Sequence, residues 1–327
     1  MSISILKSQI SNRLLWCLLA AGHLLLAGGA EAETNEVDRG LAWLARQQKV
    51  DGSWSPNVAL NALPLLAFLS AGHIPSDKPY GQAVERGLRF VLSQQAADGA
   101  FTAGGAAMYG HGVTTLLLAE LRGMSQEDDR VRGALARAVV LTLGAQAVEK
   151  SENHAGGWRY DPNSVDSDIS VTAWQVTALK AAADVGVDVP REAFERAVAY
   201  VLRCEHPQGG FAYQPGGLPN QSRTASALLA LRLAGHSEDP AVARAQRWLN
   251  AYPVRWESPF FYYAAHHCAH AGAGFDDRVL TDRQQPDGSW PAPPNAPDEE
   301  KAGPVYRTAM AVLALTARWN YLPGYLW

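Results

Sequence analysis

Two carboxylates stand two residues apart in Val165-Asp166-Ser167-Asp168-Ile169-Ser170, directly ahead of the apolar run Val171 to Ala183. A carboxyl at such a place has two uses. At a helix start it accepts backbone N–H bonds and gains from the helix dipole. Both interactions favour the anion and lower its pKa, which opposes proton donation at neutral pH. In a dry pocket the same group stays protonated and serves as a general acid. The position of Asp168 favours capping. Asp166 takes over the cap if Asp168 turns into a cavity as the acid.

His111, in Tyr109-Gly110-His111-Gly112, opens another apolar segment. It can polarise a bound group or be satisfied by backbone. Arg223, Tyr306 and Arg307 begin two more such segments. A cationic pair there suits an anionic head group, or forms a structural bridge to Asp166 or Asp168. Trp158, Tyr160 and Tyr262 offer aromatic faces that can wall a cavity and stabilise a cation, while Trp174 reads as ordinary core. His266 and His270 are four residues apart and share a helix face. A zinc site needs three or four ligands, and no Glu follows the first His as a metalloprotease helix requires. Neither a metal nor a cofactor is expected.

The elements that carry these residues repeat. Gln47-Gln48-Lys49-Val50-Asp51-Gly52-Ser53-Trp54 returns as Gln94 to Phe101 and as Gln284 to Trp290, with weaker copies at Gly156-Gly157-Trp158 and Gly209-Gly210-Phe211. The interval from 211 to 290 is wide enough for a degraded copy at Trp256. Ahead of each turn lies an amphipathic segment, such as Gly40 to Leu44, Gly87 to Val91 or Ala197 to Val201, with apolar residues at helical spacing. After it comes a segment of small and apolar residues: Thr114 to Leu121, Val171 to Ala183, Thr224 to Ala234, Thr308 to Ala317. Helices apolar on most faces are buried. Each unit is therefore an outer amphipathic helix, a glycine turn and an inner buried helix. An open solenoid needs a polar terminal repeat, but this chain ends on Trp319, Tyr321, Leu322, Tyr325, Leu326 and Trp327. The predicted fold is all-α: one α/α toroid of about six helical hairpins over residues 33–327, the last packing on the first.

Arg39-Gly40-x-x-Trp43-Leu44-x-x-x-Gln48-x-x-x-Gly52-x-Trp54 resembles the QW motif of squalene-hopene and oxidosqualene cyclases, and Arg86-Gly87 through Phe101 is similar with Phe for Trp. The resemblance spans 33–327 as repeat architecture and implies the terpenoid cyclase and protein prenyltransferase superfamily. In that superfamily the Gln caps a neighbouring helix and the aromatic stacks on it, so the motif marks fold rather than chemistry. Zinc prenyltransferases would need Asp, Cys and His where this chain has Asn220, Ser222 and Arg307. Class II cyclases use Asp-x-Asp-Asp-Thr with the central Asp as acid. The resemblance puts Asp168 at that position, with Ser170 for Thr and Ile169 for the third Asp. Such cyclases usually build their site between two toroids, and this chain has length for one.

Lys7 and Arg13, the apolar run Leu14 to Gly29, and Ala30-Glu31-Ala32 have the layout of a secretory signal peptide over residues 1–32. The expectation is export to the periplasm or beyond, with membrane contact but no span after cleavage. A formal net charge of −4 and no dense Lys/Arg cluster exclude nucleic acid as a partner. The leading reading is a toroid that binds an apolar, isoprenoid-like ligand, or a partner protein, at its central cavity without catalysis. The alternative is a class II cyclase-like isomerase with Asp168 as acid.

Overall fold

The computed structural model describes residues 35–294 and 296–327. The expected signal segment lies outside them. Among the described residues there are twelve α-helices and no strand, and no helix is long and apolar enough to cross a membrane.

The helices alternate as the sequence pattern demands. The outer set is α1 (Glu36–Gln47), α3 (Gly81–Ser93), α5 (Asp128–Ala147), α7 (Arg191–Arg203), α9 (Pro240–Ala251) and the single-turn α11 (Arg278–Thr281). The inner set is α2 (Ala59–Ser70), α4 (Ala107–Glu120), α6 (Ile169–Asp184), α8 (Gln221–Leu233), α10 (Phe261–Ala271) and α12 (Pro297–Thr316). Helix α1 buries one stripe, Val37, Gly40, Leu41, Trp43 and Leu44, so one face meets the core and the other meets water. Helix α6 buries nearly its whole length, from Ile169 to Leu179 without a break. Each inner helix packs on the next, and α12 packs on α2, so the ring closes.

The repeated turn works by one mechanism four times. Gln48 Nε2 donates to the carbonyls of Gly52 (3.0 Å) and of Ala83 in the next outer helix (2.8 Å). Gln95, Gln146 and Gln284 do the same to Ala134, Ala193 and Glu36. An arginine one outer helix on secures each amide oxygen: Arg86, Arg137, Arg196 and Arg39. In the fourth unit Glu205 stands in for Gln and takes Arg244 in a two-pronged pair at 2.6 and 2.9 Å. Trp54, Trp158 and Trp290 each send the indole N–H to a carbonyl of the preceding outer segment, at 2.7–2.9 Å. Gly52 has φ +92, and a Cβ there would lie 2.4 Å from the Arg86 carbonyl oxygen. Only glycine fits both the backbone and the gap. The fifth turn, with Trp256 between α9 and α10, lacks this bracket; there Trp256 meets Phe261 edge to face at 4.9 Å.

The chain end plugs one end of the ring. The Gly324 N–H donates to Glu120 at the end of α4 (2.7 Å), and Lys180 Nζ in α6 donates to the Pro323 carbonyl (3.2 Å). Trp327 donates to the His270 carbonyl and lies under the Arg232 guanidinium. The aromatic terminus therefore crosses the C-terminal ends of several inner helices. Cys204 and Cys268 are both free and buried.

Candidate functional site

The starts of the inner helices meet at the opposite end. The Tyr109 hydroxyl in α4 donates to Ser170 Oγ in α6 at 2.5 Å. The Tyr263 hydroxyl in α10 donates to the Ser170 carbonyl at 3.2 Å, and Ser226 Oγ in α8 donates to the Tyr263 oxygen at 3.3 Å. Tyr109, Tyr263 and Tyr306 keep accessible surface, being half-buried. Yet burial raises all three phenols well above their ordinary pKa. These three phenols are thus partly reached by solvent and otherwise enclosed by protein at the inner-helix starts.

Below that floor the axis is filled. The Trp174 ring stacks on His266 at 5.4 Å and meets His267 edge to face at 5.3 Å. His267 stacks on Tyr263 at 4.2 Å, and His270 stacks on Tyr325 at 3.9 Å. Burial drives His267 to about 4 and His270 to about 3, so both are neutral at pH 7. His266 and His270 therefore pack against the chain end, and no group of three or more metal-ligating side chains occurs among the described residues. A cavity of about 420 Å³ lies at the plugged end, walled by residues such as His270, Thr316, Tyr321, Tyr325 and Trp327. It touches none of the candidate residues except His270.

Asp168 is the N-cap of α6. Its Oδ1 accepts from Ser170 N (2.9 Å), Val171 N (2.9 Å) and Ser170 Oγ (2.6 Å). Capping does not lower its pKa as the sequence argument expects. The side chain is fully buried, and desolvation outweighs Ser170, Val171 and Arg159, so the pKa is raised. The second oxygen, Oδ2, is buried with no hydrogen-bond partner. Arg159 Nη1 lies 3.7 Å from it, and Arg159 Nε lies 3.4 Å from Asp166 Oδ2. Asp166 thus faces Arg159 and Gln214 rather than capping the helix. The arginine bridging both carboxylates is Arg159, not Arg223 or Arg307.

Tyr160 stands at the rim, 42% exposed, with its hydroxyl paired to that of Tyr213. Arg159 lies over the Tyr160 ring at 4.8 Å, and Arg159 and Arg223 lie over the Tyr213 ring at 5.3 and 5.4 Å. Arg223 and Tyr160 therefore share the mouth with Asp168, while Tyr306 lies near Tyr263 and Glu299.

Four other candidates are placed elsewhere. His111 Nε2 lies 2.9 Å from Thr142 Oγ1, and Nδ1 accepts the Phe101 N–H. Asn61, Thr172 and Thr224 likewise accept the N–H of Trp54, Trp158 and Phe211. His111 is thus the repeat's polar clip. Trp158 is 1% exposed and spent on its turn. Tyr262 is fully buried against Phe261 and Trp256, with its hydroxyl on the Pro291 carbonyl. Arg307 is buried and donates to the carbonyls of Trp290 (3.1 Å) and Glu299 (3.0 Å). Asn220, at the zinc-ligand position, caps α8 instead, accepting from Arg223 N at 2.9 Å and Ser222 Oγ at 3.0 Å.

Tyr109, Arg159, Tyr213, Tyr263 and Glu299 were not singled out in the sequence. Tyr263 lies beside the selected Tyr262 and differs only in facing inward. Glu299 Oε1 accepts the Tyr263 N–H at 3.0 Å, and burial raises its pKa to about 7.

The family model for the prenyltransferase alpha-alpha toroid domain matches residues 58–260. That is more than half of the chain, and the protein belongs to this family. No curated protein matches the sequence. Among solved structures, a protein from Actinoplanes is 18% identical, with 86% of this chain and 98% of that chain covered and a TM-score of 0.57. The type II terpene cyclase MstE from Scytonema, in complex with its product merosterolic acid A, is 15% identical over 88% of this chain and 96% of that one, TM-score 0.55. An inactive variant of an α-1,6-mannanase from Salegentibacter, in complex with α-1,6-mannotriose, is 10% identical over 88% and 98%, TM-score 0.63. At these identities the likeness is one of fold.

Proposed function

We propose that this protein is an exported binding toroid that holds one end of an isoprenoid-like, amphipathic ligand in the recess at the inner-helix starts, without cyclising it. The observation that carries this reading is the half-buried tyrosine floor over a filled axis. Tyr109, Tyr263 and Tyr306 offer ring faces and hydroxyls to a ligand end. The Trp174–His266–His267 stack beneath them leaves no room along the axis for a folded polyprenyl chain, which would need an enclosed pocket of several hundred Å³. Tyrosine and arginine stand at this end of the ring, with Tyr160 and Arg223 among the residues the sequence placed there. The test is mass spectrometry of lipid that co-purifies with the protein expressed in its exported form. An isoprenoid recovered at near one per chain supports the reading; a protein that is lipid-free and binds no prenyl compound sinks it.

A second reading is favoured by one observation: Asp168 keeps a buried oxygen free of hydrogen bonds and a raised pKa, as a proton donor needs. On that reading the protein is a class II cyclase-like isomerase. Incubation with squalene and shorter polyprenyl substrates tests it. A cyclic product that disappears in Asp168→Asn would displace the binding reading.

A further inference from the structure

The open cavity of about 420 Å³ lies at the plugged end, where α2, α10 and α12 finish. Its size is within the range of ligand pockets, ~300–1,000 Å³. The inner wall is buried: Ser70 and Thr316 lie there with their hydroxyls 2.7 Å apart. The outer wall is Asn320, Tyr321, Leu326 and Trp327, all exposed. Two large rings are thus left open to water, Tyr321 at 49% and Trp327 at 55% exposure. Trp327 is nevertheless held in place. Its indole N–H donates to the His270 carbonyl at 3.3 Å, and the Arg232 guanidinium lies over its ring at 4.1 Å. Polar groups on the same rim are unused. The Asn320 amide and the Tyr321 hydroxyl have no hydrogen-bond partner among the described residues. Arg318 donates from Nη1 to Asp277 at 2.8 Å and keeps its side chain 70% exposed.

We propose that this cavity is a second ligand site, separate from the mouth, and that it takes a neutral saccharide. A sugar ring presents an apolar C–H face and a rim of hydroxyls, each of which donates and accepts. The rings of Tyr321 and Trp327 match the face, since an aromatic side chain offers a large apolar surface with a polar edge. The Asn320 amide, the Tyr321 phenol and the remaining Arg318 N–H groups match the hydroxyls. Charge argues against an ionic ligand. Asp277 neutralises Arg318, and Arg232 is engaged by the Trp327 ring and the Ala271 carbonyl. His270, driven by burial to about 3, is neutral at pH 7. Openness argues against a prenyl or acyl chain. Such a chain is held by leaving water, and seated here it would stay partly wet while covering polar rim groups that it cannot bond.

The test is a printed array of neutral and acidic oligosaccharides probed with the fluorescently labelled full chain, followed by calorimetric titration of the best-bound glycan. A neutral glycan should bind. Trp327→Ala and Asn320→Gly should each weaken it about tenfold, and Tyr321→Phe, which keeps the ring and removes the hydroxyl, about threefold. Glycine suits position 320 because the backbone there is left-handed, with φ +58. Asn320 and Tyr321 bond to nothing in the fold through their side chains, so these two variants should melt with wild type and carry the test if Trp327→Ala unfolds. Binding to no neutral glycan, binding confined to acidic ones, or a neutral glycan whose affinity is unmoved by Asn320→Gly and Tyr321→Phe overturns the proposal. None of these results bears on lipid held at the mouth.

Discussion

Ser170 donates its hydroxyl hydrogen bond to Asp168 Oδ1 at 2.6 Å, the same oxygen that accepts the Ser170 and Val171 backbone N–H groups. One carboxyl oxygen thus carries the whole cap. Asp168→Asn can keep all three bonds with its amide oxygen and should cost under about 1 kcal/mol. Asp168→Ala leaves buried donors unpaired at the start of α6 and should cost about 2 kcal/mol. Urea denaturation of the two variants checks the order; equal losses would mean that Oδ2 also stabilises the fold.

The same residue marks how far the sequence could be read. The bracket Gln48, Gly52 and Trp54 is local, repeats along the chain, and uses residue types with few alternative uses, so the toroid was legible. Asp168 as a cap was legible too, because capping depends only on neighbours at two and three residues. Its pKa was not. Burial depends on α4, α8 and α10 closing around it, which no short window contains. Tyr109 meets Ser170 across 61 residues, and Tyr263 could not be told from Tyr262 until the helix was rotated into place. His111 looked chemical because its three counterparts, Asn61, Thr172 and Thr224, are different residue types doing one job.

Glu299 gives a pH prediction with a definite sign. Its pKa is raised from the ordinary 4.5 to about 7, chiefly by burial. The folded state therefore holds a proton that the unfolded state has lost, and its contribution to stability is complete below about 4.5 and disappears as pH rises to about 7. The buried neutral histidines 111, 267 and 270 act the other way, losing stability as pH falls below 6.5. The difference between Glu299→Gln and wild type isolates the carboxyl. From pH 4.5 to 8 the variant should gain on wild type by up to about 3 kcal/mol. A constant difference in thermal or urea unfolding across that range would contradict the buried placement.

Zinc content follows from the caps. Asn220 and Ser222 are engaged at the start of α8, and Arg307 is spent on carbonyls. None of them can serve as a thiolate or imidazole ligand. Elemental analysis of purified protein should find far less than one zinc per chain. One zinc per chain would redirect attention to His266 and His270.

Ring closure depends on the last glycine turn reaching the first outer helix. Gln284 Nε2 donates to the Glu36 carbonyl at 2.8 Å, Arg39 Nε donates to Gln284 Oε1 at 2.8 Å, and Trp43 Nε1 donates to Asp287 Oδ2 at 3.1 Å. Gly288, inside that turn, has φ +94, and a Cβ there would lie 2.4 Å from the Arg39 carbonyl oxygen. Gly288→Ala therefore meets a left-handed backbone, costing about 1–2 kcal/mol, and must also push α1 off the turn. A total near 3 kcal/mol corresponds to a melting temperature lower by about 6–12 °C. Gly105 is the control: its φ is +78, but nothing lies within 4 Å of its Cβ position. Gly105→Ala should cost only the backbone term. Limited proteolysis separates closure from general instability, because a loosened seam frees α1 first. Gly288→Ala should be cut between α1 and α2 before any other site, whereas Gly105→Ala should show the wild-type digestion pattern. Equal melting temperatures and equal digestion for the two variants would mean that the seam between α11 and α1 does not hold the ring shut.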